Sequence, residues 1–169
     1  MREVPMATKR FNRLDKQHRT LAYEACEFVV DKLMPRLKHK LEIRFQGDPE
    51  LTEREGIHGD CVYTEWTPGP PRDFVIRVDT SLDPLEFLTC IMHEMVHVKQ
   101  WARNEMRLYE RGPFGMVRWH KEKIDEKNLD YYDLPWEIEA HGREQGLCVQ
   151  FLTTREDIQK LINEMIEAI

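Results

Sequence analysis

The stretch Asp83-Pro84-Leu85-Glu86-Phe87-Leu88-Thr89-Cys90-Ile91-Met92-His93-Glu94-Met95-Val96-His97 is the part of the chain that decides how the rest is read. Asp83 offers a capping carboxylate. Pro84 loses nothing in a first turn, where its missing N–H has no intrahelical partner, and Glu86 is placed to reach back as a capping box. Leu85, Leu88, Ile91, Met92, Met95 and Val98 then recur at three- and four-residue steps, which predicts a helix over about 84–103. Two histidines interrupt its core-facing stripe. His93 and His97 stand four apart, so they stack on one face and can share one metal ion. Glu94 lies about 100° around the axis, where its carboxylate reaches a water beside such an ion rather than the ion itself. Buried imidazoles need a polar or charged partner.

Upstream, Leu14, Leu21, Ala25, Phe28, Val29 and Leu33 predict a helix over about 12–34, which Pro35 stops. Leu41, Ile43 and Phe45 alternate with Glu42 and Arg44 as a half-buried strand does, and Gly47-Asp48-Pro49 breaks it. Further strands are expected at Cys61–Trp66 and at Phe74–Val78, the latter after the turn-rich Pro68-Gly69-Pro70-Pro71. Downstream, 107–134 reads as loop-rich. Gly112-Pro113 and Gly115 mark irregular chain, and a short hairpin ends at Trp119. A helix is expected over about 135–151. Thr153 or Thr154 with Glu156 should cap a last helix, 154–168, through Ile158, Leu161, Ile162, Met165 and Ile166. The pattern predicts a single-domain α+β fold. A short, mostly antiparallel sheet of about three strands would pack with the 84–103 helix, the 135–151 helix and flanking N- and C-terminal helices.

Composition agrees. The chain has 169 residues, 41% hydrophobic and 33% charged, which suits one compact domain. Its net charge of −6 argues against a broad nucleic-acid binder, whose phosphate affinity comes from clustered Lys and Arg. Residues 1–45 are the exception, with 11 basic against 6 acidic side chains, and read as a solvated helix face. No apolar run is long enough for a membrane helix, and no apolar stretch follows the charges of Met1 to Phe11, so no signal peptide is expected. Cys26, Cys61, Cys90 and Cys148 lack any CxxC spacing and read as reduced thiols of a cytoplasmic protein.

Two imidazoles leave a catalytic zinc site short of its third protein ligand. The best source is Leu134-Pro135-Trp136-Glu137-Ile138-Glu139-Ala140-His141. Glu137 falls in the first turn of the helix expected there, and small Ala140 permits close packing against the 84–103 helix. Glu139 points away and is expected in solvent. His141 shares the face of Glu137, as a partner of a ligand or as the ligand itself, and His120 is a further alternative. Cys90, one turn before His93, reads as a packed thiol rather than a fourth ligand. His18, His39 and His58 read as surface, and Trp101, Trp119 and Trp136 as core.

An HExxH followed by Pro-Trp-Glu-x-Glu-Ala resembles the gluzincins, especially small metallopeptidase domains encoded by bacteriophages and related to minigluzincin and SprT-like proteins. The resemblance covers roughly 73–146. It implies that Glu137, the first residue of the Glu137-Ile138-Glu139-Ala140 element, is the third ligand beside His93 and His97. SprT-like proteins proper take a third His soon after the motif, and none stands between His97 and His120. His141 occupies the position where the family carries an Asp that orients a zinc-bound His. By this resemblance the protein is a zinc metallopeptidase acting on a protein or peptide in the cytoplasm of a host cell, with one Zn²⁺ per chain. Glu94 is then the general base, and Tyr131, Tyr132, Tyr109 or His120 the oxyanion donor. Phe74–Val78 or Cys61–Trp66 would be the strand that pairs with substrate. The alternatives are a catalytically silent zinc-binding interaction module, which would not need Glu94, and a DNA-associated peptidase using the basic N-terminal third.

Overall fold

The computed structural model describes residues 8–64, 67–109 and 113–169. Strand β1 (Thr8–Asn12) passes through Arg13, in the left-handed region at φ 57°, into helix α1 (Lys16–Leu33). The Asp15 carboxylate accepts the His18 N–H at 2.9 Å and starts the helix, so the expected beginning near 12 moves inward. Leu14 is buried ahead of the helix rather than in it. Pro35 ends α1 as expected, in a 3-10 turn at Pro35–Leu37.

Next come strand β2 (Glu42–Gly47), the short helix α2 (Leu51–Glu55), strand β3 (Gly59–Tyr63) and strand β4 (Asp73–Val78). They form a four-stranded sheet in the order β1-β2-β4-β3. The β1–β2 and β2–β4 pairs are parallel, and β3 runs antiparallel on β4. The α+β class stands, yet this sheet has one strand more than expected and two parallel pairs. Alternation along a strand carries no direction. Direction is set here by α1, which returns the chain to lay β2 parallel to β1. Thr-Lys-Arg-Phe-Asn gives no strand pattern, and five residues are too few to declare α2. The expected strand at Cys61–Trp66 begins two residues earlier, at Gly59, and its Glu65 and Trp66 lie outside the described residues.

One face of the sheet makes the core. Ile43, Phe45, Phe74, Ile76 and Val78 are buried there with Ala25 and Val29 of α1, and each of these side chains except the small Ala25 contributes roughly 1.5–3 kcal/mol when fully buried. The alternate residues carry charge: Arg44 pairs with Asp73, and Arg77 pairs with Asp60 and Glu55. Asp79, just past β4, is buried and accepts from the Thr52 N–H at 2.7 Å, the Ser81 N–H at 2.8 Å and the Ser81 hydroxyl at 2.6 Å. It ties α2 to the turn leading into helix α3 (Pro84–Ala102). Asp83 caps α3 as expected, accepting from the N–H groups of Leu85 and Glu86, whereas Leu85 itself is exposed.

Strands β5 (Met106–Leu108), β6 (Met116–Trp119) and β7 (Glu122–Asp125) form a separate antiparallel sheet inside the stretch read as loop-rich. The strands are three and four residues long and rich in Arg, Lys and Glu, so no period shows in the sequence. Gly112 of the expected irregular stretch lies outside the described residues. A small second core of Met106, Val117, Leu134 and Trp136, flanked by Trp101 and Trp119, holds this sheet.

Helix α4 (Pro135–Thr153) packs against α3, with Ala140 fully buried. Helix α5 (Glu156–Glu167) follows. Neither Thr153 nor Thr154 caps α5. The Thr154 hydroxyl donates back to the Gln150 and Phe151 carbonyls of α4, and Arg155 stands at the cap position without a side-chain capping bond, its guanidinium pairing with Glu24 and Asp157. No described helix is long and apolar enough to cross a membrane.

Candidate metal centre

Helix α3 is buried along most of its length, so a polar side chain on it must find partners inside the fold. His93 Nε2 and His97 Nε2 face each other at 3.1 Å. Glu137, in the first turn of α4, brings one carboxylate oxygen to 3.3 Å from His93 Nε2 and the other to 3.5 Å from His97 Nε2. All three side chains are almost wholly withdrawn from solvent. The structure therefore brings together the two motif histidines and the favoured third ligand.

The opposite nitrogens are spoken for. Glu144 Oε2 lies 2.8 Å from His93 Nδ1, and an ionised carboxylate only accepts, so Nδ1 donates. Gln100 Oε1 lies 2.8 Å from His97 Nδ1, while Gln100 Nε2 donates to the Trp136 carbonyl at 2.9 Å and to Glu139 Oε2 at 3.0 Å. Both Nδ1 atoms thus hold protons, so whenever the imidazoles are neutral their lone pairs lie on Nε2 and turn towards one point. At 3.1 Å the two Nε2 atoms need a proton or a cation between them. The three donor separations also average about 3.3 Å, the edge of a tetrahedron whose metal–ligand bonds are ~2.0–2.1 Å. Two imidazoles and a carboxylate suit zinc in both chemistry and spacing.

Electrostatics agree. Burial alone would raise the Glu137 carboxyl, but hydrogen bonds from His93 and His97 hold it well below the usual carboxylate range. Burial likewise works against charge on His93, yet Glu137 and Glu144 push it up to about 10. The cluster favours positive charge. Glu94 is the contrast: burial pushes its carboxyl up to about 7, opposed by His97 and His93. It lines a cleft of about 840 Å³ shared by His93, Tyr131, Tyr132 and His141.

Of the four expected oxyanion donors, Tyr131 reaches the cluster: its hydroxyl donates to Glu137 Oε2 at 2.7 Å. Tyr132 lies at the cleft, its ring 5.7 Å from His141. Tyr109 is exposed beneath Lys123, and His120 packs edge-on against Trp119 in the turn between β6 and β7, so neither lines the cleft. His141 is not in the cluster with His97. Its ring packs 4.5 Å from that of His93, and its Nδ1 lies 3.3 Å from Glu144. Cys90 is a buried thiol, and His58 is exposed at the cleft. His18, read as surface, instead packs edge-on against Phe87. Glu139, expected in solvent, pairs with buried Lys99 and with Arg143.

Sequence reading missed Glu144 and Gln100. Their spacings were the available signal: Gln100 is three residues past His97, and Glu144 seven past Glu137, each on the face of its ligand. Of the two strands offered for substrate pairing, β4 is interior and β3 is an outer strand of its sheet. Gly59 lets β3 approach α3, because a Cβ there would stand 2.5 Å from Cys90 Sγ and 3.6 Å from Glu94 Cγ. No protein-family model, curated protein or solved structure matches this chain.

Proposed function

We propose that the protein is a metallopeptidase in which His93, His97 and Glu137 hold one zinc ion and Glu94 moves the proton. One observation carries this reading: two imidazole Nε2 atoms and a carboxylate meet at tetrahedral separations beside a buried acid in an open cleft. Bound there, zinc supplies Lewis acidity towards water and towards a carbonyl oxygen.

The remaining work belongs to side chains. The Glu94 carboxylate accepts a proton from the attacking water and returns it to the amide nitrogen that leaves. The Tyr131 hydroxyl, whose one proton goes to Glu137 in this structure, leaves that acceptor and donates to the oxyanion as it develops. Glu144 and Gln100 hold the two imidazoles in the tautomer that turns Nε2 inward. Strand β3 offers its outer edge to an extended peptide. A purely structural zinc site has no use for a base, so Glu94 separates this reading from a silent zinc module. Cysteines that stand as thiols rather than disulfides favour a reducing compartment, the cytoplasm.

The test is a pair of variants. Glu94→Gln should keep about one zinc per chain and lose hydrolysis of peptides identified by proteome-wide cleavage mapping. Glu137→Ala should lose the zinc. Wild-type hydrolysis in the first or wild-type zinc affinity in the second would falsify the corresponding role.

A further inference from the structure

We propose that His141 and Glu144, on the Nδ1 side of His93, hold a second and weaker divalent cation whose arrival switches the first centre off. The proposal rests on reading His93, His97 and Glu137 as a metal centre. A single oxygen, Glu144 Oε2, lies 2.8 Å from His93 Nδ1 and 3.3 Å from His141 Nδ1. The donor atoms of the three residues all fall within 4.8 Å of one another. His141 and Glu144 are three apart on α4 and so share a face.

Access and charge fit a cation. The His141 side chain is 40% exposed, and both residues line the cleft. Asp83 and Glu86 line it too, and no Lys or Arg does among the described residues. His141 presents Nδ1 to the ion in the tautomer that carries its proton on Nε2. The Glu144 oxygen then serves the incoming cation instead of the proton on His93 Nδ1. His93 then loses the acceptor that orients it, which disturbs the donor it turns towards His97. Binding is weaker here because only two side chains, one of them exposed, supply the site.

The experiment is a Zn²⁺ titration of the full-length metal-free protein by calorimetry, with peptide hydrolysis read at each equivalent. Two events are expected, the second at least tenfold weaker, with hydrolysis rising through the first and falling through the second. His141→Ala should keep the tight event, lose the weak one and lose the fall in hydrolysis. Glu137→Ala should lose the tight event and keep the weak one, which separates the two readings. One event only, or a weak event and inhibition unchanged in His141→Ala, overturns this proposal and leaves the first centre standing. No event at all overturns both.

Discussion

Gln100 Oε1 lies 2.8 Å from His97 Nδ1, and the other end of the same amide determines where the proton sits. Gln100 Nε2 has two acceptors, the Trp136 carbonyl and Glu139, so the amide cannot be turned round without facing oxygen with oxygen. The imidazole must then donate from Nδ1, and in its neutral form keeps its lone pair on Nε2. A residue outside the HExxH thereby fixes the chemistry of one inside it. Gln100→Leu should lower zinc affinity about 10–100-fold and lower stability by about 1–3 kcal/mol, because the Trp136 carbonyl loses its donor. Gln100→Glu keeps an acceptor for His97 but opposes Glu139, so it should harm stability more than affinity. Chelator competition and urea unfolding separate the two quantities, and a Gln100→Leu protein with native affinity would contradict the orienting role.

Tyr131 supports a different split. Its hydroxyl touches Glu137 and not the imidazoles, and its ring is half exposed at the cleft. Tyr131→Phe should leave zinc affinity within a few-fold of native and reduce kcat about 10²–10³-fold with little change in KM, as loss of one oxyanion donor does. A loss confined to zinc affinity would make Tyr131 a support for Glu137 alone.

Asp79 predicts a response to acid. Burial works to raise its carboxyl, but hydrogen bonds from Ser81 and Thr52 hold it down at about 2. A carboxyl lower in the folded than in the unfolded chain adds stability above the unfolded value, ~4, and loses it as pH falls towards the folded one. Unfolding followed from pH 5 to pH 2 should therefore lose up to about 2 kcal/mol from this residue. Asp79→Asn should be less stable at pH 6 and show a flatter acid limb. An acid limb as steep as that of the native protein would assign the sensitivity to other carboxylates.

The elements that sequence reveals are those whose neighbours lie close along the chain. Helix α3 announces itself through Asp83, Pro84 and a long apolar stripe, and its two histidines are one turn apart whatever surrounds them. Glu137 was within reach because a helix start and Ala140 mark its segment. What stayed hidden depends on contacts between distant segments. Glu139 has no local reason to be covered; it is drawn inward by Lys99, forty residues earlier. The parallel pairing of β1 and β2 comes from a crossover, and the acceptors on His93 and His97 come from residues whose own sequence context is that of ordinary helix surface. Tyr131 was one of four equal hydroxyl and imidazole candidates until α4 and the turn before it were placed together.

Gly59 gives the last prediction, because it joins the sheet to the active helix. A Cβ at this position would meet Cys90 Sγ at 2.5 Å and the Arg77 carbonyl at 2.7 Å, both below any ordinary contact. The thiol can rotate or be removed; the carbonyl belongs to the neighbouring strand and cannot. Gly59→Ala should therefore lower stability by about 1–3 kcal/mol, and adding Cys90→Ala should restore only part of it. Because the shift displaces the edge that would receive substrate, KM should rise in Gly59→Ala even where zinc content is native. Urea midpoints, zinc content and KM measured together test this, and full restoration by Cys90→Ala would show that the carbonyl contact yields more easily than the backbone geometry requires.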